Sequence, residues 1–165
     1  MDPVHFNARE ILDMAVKIEE NGLKFYTDAA KASKSKEIKE LFTHLASDEK
    51  KHVKVFSDLI KLVPKDELSD AANDPYSEEA RMYLNSLANT EVFTAPDAGK
   101  AMGKVMQSGL SVLEYAIGME KDAILFYYEL NSMVREKDRP VLDNLIAQEK
   151  NNLKKLTKLL DRLYK

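Results

Sequence analysis

From Phe42 to Val63 the core-type positions advance by alternating steps of three and four: Phe42, Leu45, Glu49, His52, Phe56, Leu59 and Val63. That spacing places all seven on one face of a helix, the face a bundle buries. A glutamate and a histidine stand at its centre, where leucines belong. Residues 142–163 repeat the pattern as Leu142, Leu145, Glu149, Asn152, Leu156, Leu159 and Leu163. Glu19 and Glu120 hold the same middle position in two further amphipathic segments. A buried carboxylate without a partner is costly or gives up its charge. Four at one depth require a cation among them, so the pattern predicts a four-helix bundle around a metal site.

Composition narrows the alternatives. At 165 residues the chain reads as one domain, residues 1–165, long enough for a substantial core. Five Gly and five Pro suit a mostly helical protein. A net charge of −3 argues against a general nucleic-acid surface. The absence of cysteine excludes disulfides, thiolate-bound zinc and iron–sulfur or rubredoxin-type centres within this sequence. No apolar run approaches a membrane span, and MDPVHFNARE carries no hydrophobic signal segment. A cytoplasmic location is expected, with neither membrane nor nucleic acid as a partner.

Helix one is predicted to start near Ala8, capped by Asn7 with Glu10 at capping-box spacing. Its core face is Leu12, Ala15, Glu19, Gly22, Tyr26 and Ala30. The turn KASKSK follows, and Ser33 or Ser35 caps helix two, which runs to about Val63, where Pro64 stops it. Residues 64–108 differ in kind. Asp74-Pro75 and Ala95-Pro96 break them, short helices are predicted at 77–90 and 97–107, and Thr94, Pro96 and Asp97 form a helix start. Helix three is expected from about Gly109 to Glu136, and Asp138 and Pro140 open helix four. Short turns within each pair force antiparallel hairpins. The middle connection, about 45 residues, is long enough to run back along helices of roughly 37 Å. The expected fold class is all-α: a ferritin-like four-helix bundle of two antiparallel hairpins joined by a long crossover containing short helices.

The halves resemble each other. AVKIEENGLKFY (15–26) aligns with AIGMEKDAILFY (116–127), superposing Glu19 on Glu120, Phe25 on Phe126 and Tyr26 on Tyr127. LASDEKKHVKVF (45–56) aligns with LIAQEKNNLKKL (145–156), superposing Glu49 on Glu149 and His52 on Asn152. A duplicated hairpin would gather its glutamates around a pseudo-twofold axis. Glu49 and His52, three apart, project from one helix face and can reach one ion. Carboxylate and imidazole together suit iron, manganese or zinc better than calcium.

These strings, E-x-x-G-x-x-F-Y at Glu19, E-x-x-H at Glu49 and their second-half copies, resemble the rubrerythrin-like branch of the ferritin-like diiron-carboxylate proteins. The resemblance covers most of the four main helices. It implies two iron ions, with manganese or zinc as alternatives. Glu19 and Glu120 would be mostly terminal ligands, Glu49 and Glu149 would bridge, and His52 would bind one ion. It leads to a nonheme diiron oxidoreductase that reduces hydrogen peroxide or dioxygen, served by an external electron-donor protein, and to a homodimer. Two positions depart from the family. Asn152 stands where a second E-x-x-H would place its histidine, which makes that metal position the weaker. Ala123 stands where rubrerythrins proper carry an extra carboxylate. The alternatives are an iron-binding or storage protein without efficient turnover, and a metal-free interaction bundle.

Plainer roles exist for each residue. A shifted helix phase would turn seam glutamates to solvent, and His52 could be a satisfied core histidine. Tyr26 and Tyr127, seven residues after Glu19 and Glu120, are core aromatics or donors to those carboxylates. Asn152 is a polar neighbour of the ligands or a weak oxygen ligand. Lys150, Lys154, Lys155, Lys158, Arg162 and Lys165 form a solvated face complementing the helix dipole, or a docking patch for an acidic electron donor. His44 has no assigned role. His5, Glu20, Glu40 and Glu114 belong to the surface.

Overall fold

The computed structural model of the chain describes residues 8–62, 109–133, 136 and 139–165. Four long helices hold nearly all of them. They are α1 (Ala8–Ala32), α2 (Lys36–Leu62), α3 (Gly109–Met133) and α4 (Arg139–Leu163). The Asn7 cap, the side chain of Glu10, Val63, Pro64, the short helices at 77–90 and 97–107 and Asp138 lie outside the described residues. So do residues 134–135, between the described end of α3 at Met133 and its expected end near Glu136.

Local chemistry explains the first hairpin. Ser35 caps α2, its hydroxyl accepting the backbone N–H of Ile38 at 3.4 Å. Ser33 N–H still bonds to Ala29 C=O at 3.0 Å, so α1 closes only where α2 is about to begin. A linker this short makes the two helices antiparallel neighbours. α1 packs chiefly on α2 and α3 on α4, and the hairpins meet through α2 with α4 and α1 with α3. The fold is the ferritin-like bundle of paired helices.

The predicted seams are the buried faces. Leu12, Ala15, Glu19, Gly22, Tyr26 and Ala30 are all buried on α1. On α2 the buried set is Ile38, Phe42, Leu45, Glu49, His52 and Phe56. On α4 it includes Leu142, Leu145, Glu149, Asn152, Leu156 and Leu159. Leu163, the last predicted seam position, is exposed because α4 ends there and leaves the core. Phe42, Phe56 and Phe126 are fully buried; truncating any of them to alanine would cost about 3–5 kcal/mol. The duplication also shows in the aromatic packing. Phe25 meets Tyr26 edge-on at 5.2 Å, and Phe126 meets Tyr127 edge-on at 5.6 Å.

Candidate metal centre

Each of the four helices contributes one glutamate to the bundle interior. Glu19, Glu49, Glu120 and Glu149 are at most 3 % exposed, and His52 and Asn152 are 1 % exposed. Glu19, Glu49, His52 and Glu149 each offer a ligand atom, and these atoms lie within 4.8 Å of one another. Glu120 is outside that set of four but is buried beside Glu149, with which it shares a hydrogen bond.

His52 lies at the centre of the cluster. Its Nδ1 is 2.7 Å from Glu149 Oε1, 3.3 Å from Glu19 Oε2 and 3.9 Å from Glu49 Oε2. The ring is held from behind: Nε2–H donates to Gln148 Oε1 at 3.1 Å. That bond turns Nδ1 inward, toward the carboxylates. Despite these short separations, Glu19 Oε2, Glu149 Oε1 and His52 Nδ1 have no aligned hydrogen-bond partner. Buried polar atoms are normally satisfied. Three orphans facing one point, two carboxylate oxygens and one imidazole nitrogen, fit a first-row divalent cation.

Two tyrosines cross between the hairpins. Tyr26 on α1 donates to Glu120 Oε1 on α3 at 2.5 Å, and Tyr127 on α3 donates to Glu19 Oε1 on α1. Both phenols sit well above their ordinary pKa, first through burial and then through the charges of nearby carboxylates. They therefore remain donors. The tyrosines fill the core and also hold these carboxylates, so neither of the two expected roles excludes the other.

Burial and mutual charge shape the electrostatics of the cluster. Burial, then the charges of Glu19 and Glu149, pushes the Glu49 carboxyl well up. Burial and the Glu149 charge do the same to Glu120. Burial opposes charge on His52, but close polar contact with Glu149 and Glu19, and their charge, raises it to about 11. Burial also opposes charge on Glu19, yet close polar contact with Glu49 and His52, the His52 charge and the hydrogen bond from Tyr127 hold it below the ordinary value. The surroundings of Glu49, Glu120 and His52 favour their protonated forms, so a cation bound among them would compete with protons.

Asn152 lies on the His52-equivalent position of α4. Its Nδ2 donates to Glu149 Oε2 at 3.4 Å, and its Oδ1 accepts from Lys155 Nζ at 3.4 Å. Ala123 is buried, 4 % exposed, and offers no donor atom where the extra family carboxylate would lie. Sequence reasoning missed Gln148 and Lys155. Gln148 is off the α4 seam, and only the packing of α2 on α4 brings it to His52. Lys155 follows Asn152 by three residues, so its i,i+3 spacing was an available signal. His44 is exposed; its Nε2 accepts from Lys155 Nζ at 2.8 Å, with Asp48 Oδ2 lying 3.2 Å from the same nitrogen.

Comparison with known proteins agrees with this geometry. Residues 10–160 match the family model for rubrerythrin. The chain is similar to a Thermotoga maritima protein, described as a ferritin-like diiron-carboxylate protein, whose crystal structure was determined at 2.30 Å. The two share 29 % identity and a TM-score of 0.72, over 97 % of this chain and 98 % of that one. No curated protein matches the chain. A family model spanning nearly the whole sequence, and a bundle with one inward glutamate on each helix, show that the chain belongs to the rubrerythrin family.

Proposed function

We propose that the protein is a nonheme iron oxidoreductase that reduces hydrogen peroxide or dioxygen. The observation that carries this is the buried convergence of Glu19, Glu49, His52 and Glu149, three of whose atoms lack a hydrogen-bond partner. In this proposal Glu49 and Glu149 would be shared between two ions, Glu19 and Glu120 would each serve one, and His52 Nδ1 would bind one. Bound ferrous iron would supply the electrons, two ions giving one each as peroxide and two protons become two waters.

The chain's own residues set the conditions for that chemistry. Tyr26 and Tyr127 orient Glu120 and Glu19. Phe42 packs on Tyr26, and Phe56 and Phe126 pack on Tyr127, so the tyrosines that hold the carboxylates stand in a fully buried, water-excluding core. Glu49 and Glu120 are the carboxyls whose surroundings favour the protonated form, which fits them to take up or release protons as charge at the centre changes. Electrons would come from an external donor protein, for which the exposed Lys154, Lys158 and Lys165 offer a basic surface. We also propose a homodimer and a cytoplasmic location; among the described residues no helix is long and apolar enough to cross a membrane.

A second reading, iron binding or storage without efficient turnover, is favoured by Asn152, whose amide bonds to Glu149 where the family places an imidazole. Anaerobic loading with ferrous ion, followed by stopped-flow mixing with peroxide or dioxygen, separates the two. Rapid oxidation and repeated turnover with a chemical reductant support the oxidoreductase. Tight binding with a single slow oxidation supports storage. Failure to bind ferrous ion sinks both.

A further inference from the structure

Lys155 differs from the basic residues around it on α4. Lys150, Lys154 and Lys158 are exposed, whereas the Lys155 side chain is 31 % exposed and turned against the bundle. Its Nζ lies 3.4 Å from Asn152 Oδ1, 2.8 Å from His44 Nε2 and 3.7 Å from Asp48 Oδ2. Asn152 links this ammonium to the centre, because its Nδ2 reaches Glu149 Oε2 at 3.4 Å. The two contacts dictate which way the amide faces. Turned over, it would set its carbonyl against a carboxylate and its N–H groups against an ammonium. Asn152 therefore offers the centre only N–H groups, and its one atom able to bind a metal is held outward.

We propose that Lys155 is a positioning residue which, through Asn152, makes the metal centre unequal. It holds the Asn152 oxygen away from the position opposite His52 and keeps Glu149 Oε2 engaged with the amide. Its positive charge adds repulsion against a second divalent ion. The result is one tight ion on the His52 side and a weak second one. The inference rests on the metal centre proposed above and concerns only how that centre divides its affinity.

Anaerobic titration of the ion-free full chain with cobaltous ion, read by visible absorption, tests it in the wild type, Lys155→Met and Lys155→Arg. The wild type should bind one ion tightly and a second weakly. Lys155→Met should tighten the second on the order of tenfold or more, and leave the first unchanged. Lys155→Arg should keep the wild-type inequality. In ion-free protein the Asn152 side-chain amide signals in 15N–1H NMR should move in Lys155→Met and stay in place in Lys154→Met. Two equal tight ions in the wild type, or an unchanged second affinity in Lys155→Met, would overturn the inference while leaving the metal centre standing. Absence of binding in every variant would instead overturn the metal centre, and the inference with it.

Discussion

Tyr26 of α1 reaches across the bundle to donate to Glu120 of α3, hydroxyl to Oε1 at 2.5 Å. Tyr127 of α3 returns the contact to Glu19 of α1. Each hairpin thus fixes a carboxylate of the other, and the pair ties α1 to α3 around the pseudo-twofold axis implied by the duplicated sequence.

Tyr26→Phe and Tyr127→Phe should preserve the core volume and lose only the hydroxyl. A hydrogen bond to a carboxylate is worth about 1.5–3 kcal/mol, and the loss of one that orients a ligand lowers metal affinity roughly 10- to 100-fold. Tyr127→Phe should weaken the His52 side most, since Glu19 faces His52 Nδ1 at 3.3 Å. Metal titration of both variants decides it. Wild-type affinity in both would reduce the tyrosines to core filling.

Metal should stabilise the fold, because four buried carboxylates and the His52 imidazole gain a common partner. At a free metal concentration 100 times Kd the gain is about 2.7 kcal/mol, which raises Tm by roughly 5–10 °C for a chain of this size. Calorimetry of ion-free and ferrous- or manganese-loaded protein measures it. An unchanged Tm under saturating metal would remove the basis for the centre.

Stability of the ion-free protein should fall as pH rises. Glu49, Glu120 and His52 all have raised folded-state values, so the folded chain holds protons that the unfolded chain releases. Their contribution is complete below the unfolded values and is lost as pH climbs, for His52 between 6.5 and about 11. Glu19, lowered when folded, acts in the opposite sense and loses its contribution as pH falls through its folded value. Urea unfolding should show weaker ion-free protein at about pH 9 than at about pH 6. Metal binding near neutral pH should expel about one to two protons per ion, seen as buffer-dependent binding heat. Binding with no proton release would show that the cluster is not neutralised this way.

The seams were legible because their period survives each polar interruption. Glu49 and His52 keep the spacing of Leu45 and Phe56, so their burial followed from position alone. The duplication pointed to matching roles for Tyr26 and Tyr127, and the structure gives them matching bonds. Gln148 was illegible because its tie to His52 depends on how α4 meets α2, which no local pattern records. Lys155 was obscured by its company: a basic helix end predicts solvation, and tertiary contact with His44 and Asp48 on α2 turns one lysine inward beside Asn152.

Asn152→His restores the second E-x-x-H, but in a setting prepared for an amide. The new imidazole would lie between Glu149 and the Lys155 ammonium, which disfavours a cation beside it. Asn152→His alone should therefore tighten the second ion only modestly, and the larger ring should cost about 1–3 kcal/mol in packing. Combined with Lys155→Met, the same change should give two ions of similar affinity and faster ferrous oxidation. The two positions are in direct contact and should couple rather than add. Anaerobic ferrous titration and stopped-flow oxidation across the double-mutant cycle measure that coupling. A double variant that still holds one ion would place the defect elsewhere, with Ala123, which lacks a carboxylate, as the next position to change.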